Sequence, residues 1–223
     1  MTLSLETSEC SPQLRNSIHL MRRVMPAAGF AVPASALGDR SLAAWVRSSG
    51  ITVIASGEAE LDLVQSNGIR PTQVVFRSGA GTDSIRRAVH AGVFRYLVGT
   101  QEQIARLNEC AQRTKYVYLD AGAPAVLSDR RVQVVGLHSD VDYSGGPAAW
   151  ATAAERLLSR AALSNAFGSP IHRIILSGGS TDDWVNSPAA QTNSVVRAVD
   201  DALRDGCERW WLPRPAVTFA QTR

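Results

Sequence analysis

The hexapeptide Phe30-Ala31-Val32-Pro33-Ala34-Ser35 joins a short apolar run to a turn, and this arrangement recurs along the chain. Each run is followed by a stretch with the periodicity of an amphipathic helix. Apolar runs of this length, bounded by turn residues, are typical of buried strands. The predicted strands are residues 29–32, 51–55, 73–77, 94–98, 116–120, 132–138, 173–176 and 210–212.

The segments between the strands predict helices, one of which should end at Asp205-Gly206. Strands that alternate with helices indicate parallel βαβ units, and eight of them in 223 residues favour an α/β fold of the (β/α)₈ TIM-barrel type. An open, doubly wound sheet shows the same alternation. The connection between residues 116 and 132 lacks a clear helix for either fold. The predicted helices are residues 39–48, 58–67, 82–91, 101–113, 148–166 and 189–205, with a leading helix before the first strand.

The composition, with 45% hydrophobic and 19% charged residues, predicts one globular domain over residues 1–223, of which 1–28 are an N-terminal segment with the leading helix. No apolar run reaches the ~18 residues of a membrane span, and the start does not resemble a secretory signal. The net charge is +3 and the arginines are dispersed, which argues against nucleic-acid binding. Three cysteines without a CxxC pair predict a reducing, cytoplasmic location.

Seven segments occur in the order and at the spacing of motifs from one enzyme family. Residues 30–35 resemble the Tyr-Ala-Val-Lys-Ala-Asn signature of the pyridoxal-phosphate (PLP)-dependent fold-type III decarboxylases, which act on ornithine, diaminopimelate and arginine and are related to alanine racemase. The resemblance implies a PLP-binding barrel, without the β-rich C-terminal domain of the family. The other six similar segments are residues 51–61, 74–93, 96–104, 136–141, 174–180 and 212–215.

The resemblance also implies that most of the PLP site is lost. The lysine that forms the Schiff base in the family is replaced by Pro33. Other positions where the family contacts the cofactor carry Val53, Asp140, Leu212 and Pro215. Covalent PLP is therefore not expected, while PLP or another phosphate ligand could still bind non-covalently.

Lys115 is the only lysine of the chain, so it is the one side chain that could form an imine with an aldehyde. It stands at the N-terminal end of a predicted strand. Chemistry in barrels of this type occurs at the C-terminal ends of the strands. We therefore expect Lys115 to be solvent-exposed and to take no part in the site.

Two parts of the family's site are retained. Gly178-Gly179-Ser180 keep the pattern of a phosphate cradle, in which backbone N–H groups bind an anion, and Arg214 could contribute to it. A tight turn after the strand would explain the same glycines. His138 keeps the first histidine of its motif, although a histidine on a buried strand is often a core residue.

His138, Asp140 and Asp142 alternate at a strand end, which would place them on one face, and Asp120 ends the neighbouring predicted strand. His138 and Asp140 are therefore the candidate catalytic residues. Such ligands can also hold a divalent metal, but polar alternation at strand ends is common and no metal site is predicted. No Ser-His-Asp or Cys-His arrangement is identifiable by motif.

Together these features predict a degenerate decarboxylase-like barrel that acts as a binding or regulatory partner, or as a module for a small anionic ligand. The alternative is an enzyme, either decarboxylase-like or PLP-independent through His138 and Asp140. Trp210, Trp211 and Phe219 are expected to be exposed on the isolated chain. A second copy of the chain or a related decarboxylase would then cover them. Cover by the N-terminal segment is equally compatible with the sequence. Neither a nucleic acid nor a membrane is expected as a partner.

Overall fold

Eight parallel strands close into a barrel in chain order, with the last strand paired to the first. The computed structural model describes residues 10–79, 82–124 and 130–222. Closure excludes the open sheet and confirms the (β/α)₈ prediction. The strands are β1 Gly29–Pro33, β2 Thr52–Ser56, β3 Val74–Arg77, β4 Arg95–Val98, β5 Lys115–Asp120, β6 Val132–Asp140, β7 Arg173–Ser177 and β8 Ala216–Ala220.

The helices begin where the sequence supplies caps. The Asp39 side chain accepts the N–H groups of Ser41 and Leu42, and Thr100 forms a capping box with Gln103. None of the helices in the described part of the chain combines the length and apolarity that a membrane span needs. The helices are α1 Cys10–Val24, α2 Arg40–Ser49, α3 Glu58–Ser66, α4 Thr82–His90, α5 Gln101–Cys110, α6 Gly146–Ala166, α7 Thr181–Asn186 and α8 Ala189–Trp210.

The predicted eighth strand, residues 210–212, is wrong. Helix α8 does not end at Gly206 but continues to Trp210, and the eighth strand is Ala216–Ala220. Gly206 serves close helix packing rather than termination, because a Cβ at this position would lie 2.4 Å from Leu158 Cδ1 of α6. The first seven strands lie within one or two residues of their predicted bounds.

Two apolar layers lie on either side of the strands. The outer layer packs the strands against the helices and includes Trp150, Trp184 and Phe219, whose rings contact one another. The inner layer fills the barrel itself. It consists of Ala31, Ile54, Val75, Leu97, Tyr118, Ile175 and Ala220.

The expectation of exposed aromatic residues is confirmed for two of three positions. Trp211 is 93% exposed and Trp210 is 44% exposed, whereas Phe219 is fully buried in the outer layer. Leu163 and Phe167, at the end of α6, add to the exposed apolar surface. The partner predicted to cover such residues stays a prediction, as does the cytoplasmic location.

Candidate functional site at the barrel mouth

The C-terminal ends of the strands surround a cavity of about 380 Å³. Side chains alternate along a strand, so a residue two positions after an inner-layer residue also points into the barrel. It lies one layer nearer to the C-terminal ends of the strands. This relation brings Pro33, Ser56, Arg77 and Ser177 to the mouth. The cavity is lined by Pro33, Ile54, Ser56, Glu60, Arg77, Ser78, Gly79, Ser177, Gln221 and Thr222.

Pro33 ends β1 and forms part of the cavity wall. Lys115 begins β5, at the opposite end of the barrel, as expected. It is buried, however, and not exposed as expected, and its Nζ donates to the Val93 carbonyl at 2.8 Å. Burial, with repulsion from Arg113, lowers the pKa of this amine. The chain's only lysine is therefore far from the mouth.

His138 is fully buried near the end of β6 and is held from two sides. Its Nδ1 contacts Asp120 Oδ1 at the end of β5. Its Nε2 lies 2.9 Å from Ser177 Oγ at the end of β7. The three side chains thus form one hydrogen-bonded chain across three adjacent strands, with Ser177 reaching the cavity.

Asp140 ends β6 beside this chain, so the predicted proximity of His138, Asp140 and Asp120 is confirmed. Arg77 donates to Asp140 from its two terminal guanidinium nitrogens, Nη2 at 2.5 Å and Nη1 at 3.2 Å. Burial disfavours the Arg77 cation, but the hydrogen bonds and charge of Asp140, aided by Asp120, outweigh burial and raise the pKa of Arg77. Arg77 and Asp140 therefore form a partly exposed ion pair at the rim.

The alternative of a metal site is only partly supported by the geometry. Ligand atoms of Asp120, His138 and Asp140 lie within 4.8 Å of one another. Arg77 already neutralises Asp140, which disfavours a second cation there. Asp142 does not join the group, because its carboxylate accepts the Ser144 N–H and caps a short 3₁₀ turn. The strand ends before Asp142, so the predicted alternation stops at Asp140.

The predicted phosphate cradle at Gly178-Gly179-Ser180 is already occupied by the protein. The Ser180 N–H donates to Asp183 Oδ2 at 2.7 Å, and the Gly178 N–H donates to the Ala220 carbonyl. Gly179 has a φ of 73°, and a Cβ there would lie 2.6 Å from the Tyr143 ring. This loop is therefore a packed turn with its own carboxylate, and the turn interpretation holds.

Arg214 is not part of this region. It lies just before β8, at the amino end of the barrel, and forms an ion pair with Asp200 of α8. Leu212 and Pro215 lie in the same connection, so the structure brings none of the three to the mouth. Val53 belongs to the outer layer rather than to the cavity. The placements of Leu212, Arg214 and Pro215 were wrong because the eighth strand was placed too early in the sequence. Val53 was misplaced because alternation along β2 directs Ile54, and not Val53, into the barrel.

Gln221, which the sequence reasoning missed, follows β8 directly and lies in the cavity wall. It is 3% exposed, and its Oε1 accepts the Thr181 hydroxyl at 3.0 Å. Its Nε2 has no hydrogen-bond partner among the described residues. An apolar run, residues 216–220, precedes it and is the signal that would have identified the strand.

No protein-family model and no curated protein sequence matches the chain. Solved structures do match it. Diaminopimelate decarboxylase from M. jannaschii has a TM-score of 0.79 at 11% identity, with 95% of this chain and 59% of that chain covered. The barrel has the fold of these decarboxylases. Diaminopimelate decarboxylase from Helicobacter pylori, complexed with L-lysine, has a TM-score of 0.74 at 11% identity, with 94% of this chain and 61% of that chain covered. SrLDC, in complex with PLP and cadaverine, has a TM-score of 0.73 at 15% identity, with 94% of this chain and 58% of that chain covered. The chain thus spans about three fifths of the length of these decarboxylases.

The residues at the mouth do not fit PLP as the family binds it. No described cavity residue offers a primary amine, and the amide of Ser180 is taken by Asp183. The strand-end position after β8 carries a neutral amide, Gln221. The described residues therefore form the decarboxylase fold without an amine at the mouth for covalent attachment of PLP.

Proposed function

We propose that the barrel binds a small zwitterionic molecule, of the amino-acid type, in the mouth cavity without forming an imine. The observation that carries this proposal is Gln221, a residue of the cavity wall whose buried Nε2 has no hydrogen-bond partner among the described residues. An unpaired buried donor costs about 1–3 kcal/mol. A ligand oxygen in the cavity would remove that cost.

The charges of the cavity wall favour a ligand with both signs. Among the described lining residues, Arg77 supplies a positive charge that it shares with Asp140, and Glu60 supplies a negative charge while it also accepts the Ser56 N–H. A carboxylate placed near Arg77 and Gln221 and an amine placed near Glu60 would both be stabilised. This ligand replaces the simple anion expected from the sequence, because Asp183 already occupies the expected anion cradle.

One solved structure with this fold holds a molecule of this class, and a second holds a diamine that lacks the carboxylate. One decarboxylase is complexed with L-lysine and another with PLP and cadaverine. In this chain Pro33 stands in the cavity wall, so such a ligand would be bound and not converted through an imine. A binding or regulatory role follows, alone or with a related decarboxylase.

L-lysine and cadaverine together test the proposal, since they differ by one carboxylate. Isothermal titration of the purified chain is expected to show saturable L-lysine binding and weaker cadaverine binding. Arg77→Gln should weaken L-lysine binding by about 10- to 100-fold, the equivalent of one charge-assisted hydrogen bond. Arg214→Gln removes a paired arginine at the other end of the barrel and should leave the affinity unchanged.

Equal affinity for both ligands, or an Arg77→Gln variant that binds as tightly as wild type, would refute the carboxylate site. A parallel incubation with PLP and borohydride tests the absence of imine chemistry. We expect no stoichiometric adduct by mass spectrometry. A stoichiometric adduct on any amine would contradict the proposal.

The partner proposal rests on the exposed apolar side chains of α6 and α8. Leu163, Phe167, Trp210 and Trp211 are each at least 44% exposed. Helices α6 and α8 both start at the barrel mouth and end at its amino face, so this surface is remote from the cavity. Self-association through it would leave the cavity accessible, and light scattering measures it directly.

A further inference from the structure

We propose that Asp120, His138 and Ser177 form a nucleophilic triad that hydrolyses a small ester or thioester. This proposal rests on the ligand cavity proposed above. The hydrogen bonds run in the order that such a triad requires. Asp120 contacts Nδ1 of His138, and Nε2 of His138 lies 2.9 Å from Ser177 Oγ. Triads are recognised by this geometry and not by the order of the residues in the chain.

The protons in this array are set by what each group can donate. A carboxylate only accepts, so in the proposed triad Nδ1 of His138 carries the hydrogen and donates it to Asp120. Nε2 then has a free lone pair and accepts the Ser177 hydroxyl. Asp140 Oδ1 is 3.6 Å from Nε2, too far to compete for it. His138 is therefore oriented as the general base for Ser177.

Ser177 is also placed where a substrate can reach it. It lies in the wall of the cavity of about 380 Å³, which limits the substrate to a small acyl compound. Its neighbour on the paired strand is Ala220, directly before Gln221. Gln221 belongs to the same wall, and its Nε2, which has no partner in the described part of the chain, is the donor that we assign to the oxyanion formed during acyl transfer.

The reaction needs only water as a second reactant. Ser177 Oγ forms a bond to the acyl carbon while its proton passes to His138 Nε2. The bond from that carbon to the leaving oxygen or sulfur then breaks, and the leaving group takes the proton from His138. Water attacks the acyl-serine, gives a proton to His138 and releases the acid, while Ser177 regains its proton.

A fluorophosphonate probe tests the nucleophile directly, and p-nitrophenyl acetate tests turnover. We expect one probe adduct per chain, located at Ser177 by mass spectrometry, and ester hydrolysis above the blank. Ser177→Ala should lose both. His138→Gln should lower the labelling rate on the order of 10³-fold or more.

Ser139→Ala is the matched control, because Ser139 is equally buried on β6 but donates to the Asp140 carbonyl. This variant should be labelled like wild type. If His138→Gln does not fold by circular dichroism, Asp120→Asn replaces it, since Asp120 is partly exposed.

Absence of an adduct at Ser177 in folded protein, or labelling that is unchanged in folded His138→Gln or Asp120→Asn, would overturn the triad. L-lysine binding is measured on the same preparations. If that binding persists while Ser177 stays unlabelled, the triad is wrong and the ligand site stands. If both are absent, the ligand site is wrong as well.

Discussion

Replacing His138 with alanine should destabilise the barrel far more than a surface change. His138 is fully buried, and it joins Asp120 to Ser177 across three strands. The variant removes the ring from a packed position and separates the two partners. Both effects act on the folded state.

The magnitude follows from what each partner is left with. Ser177 lines the cavity but is only 2% exposed, so water replaces the lost partner of its hydroxyl poorly, at a cost of about 1–3 kcal/mol. The Asp120 side chain is 30% exposed, and water can replace most of its lost bond. Loss of ring packing adds roughly 1–2 kcal/mol. The expected total is about 2–5 kcal/mol, a large share of a typical stability of about 5–15 kcal/mol.

Urea denaturation of four proteins measures this at constant pH: wild type, His138→Ala, Ser177→Ala and the double variant. Once His138 is gone, removing the unpaired Ser177 hydroxyl should restore stability by about 1 kcal/mol, which gives a clear coupling energy. A His138→Ala cost below about 1 kcal/mol, or additive effects of the two substitutions, would show that the hydrogen-bonded chain does not exist.

Two further predictions concern the amino end of the barrel. The pKa of Lys115 is lowered by burial, so between that pKa and ~10.5 the unfolded chain holds a proton that the folded chain does not. Wild-type stability should therefore fall as the pH falls through this range, whereas Lys115→Met should lack the effect. Urea denaturation of wild type and Lys115→Met at about pH 11 and at pH 7 measures this. If the difference in free energy of unfolding between the two proteins is the same at both pH values, the reasoning is contradicted. Trp211 has a φ of 52° and is 93% exposed, so Trp211→Gly should raise the stability by about 0.5–1 kcal/mol and Tm by roughly 1–4 °C. A lower Tm that depends on protein concentration would instead show that Trp211 lies in an oligomer interface.

Most of the fold was predictable because local patterns and global topology agree. Seven strands and the helices between them follow from apolar periodicity and caps. The end of α8 was not predictable, because Gly206 signals a helix end locally. Its close contact with Leu158 is a property of helix packing that no local pattern contains. Misplacing the eighth strand then displaced Leu212, Arg214 and Pro215 from their true positions and hid Gln221.

The candidate site was predictable in part, for a related reason. Alternation along β6 places His138 and Asp140 at the mouth, and the neighbouring strand supplies Asp120. The bond from Arg77 to Asp140 spans 63 residues, and Ser177 lies 39 residues from His138. Arg77 and Asp140 stand on β3 and β6, which do not pair, whereas His138 and Ser177 stand on the paired strands β6 and β7. Which of these side chains meet depends on the register and closure of the barrel, which sequence periodicity does not determine.

The pairing of β8 with β1 has a consequence for how the molecule is made. Gly29 and Thr218 are partners although roughly 190 residues separate them. At the usual rates of translation, about 5–20 residues per second, β1 waits roughly 10–40 s for the strand that completes the ring. During that time β1 and the most recently made strand both present open hydrogen-bonding edges. Until β8 has left the ribosome, these two edges are open to pairing with strands of neighbouring chains.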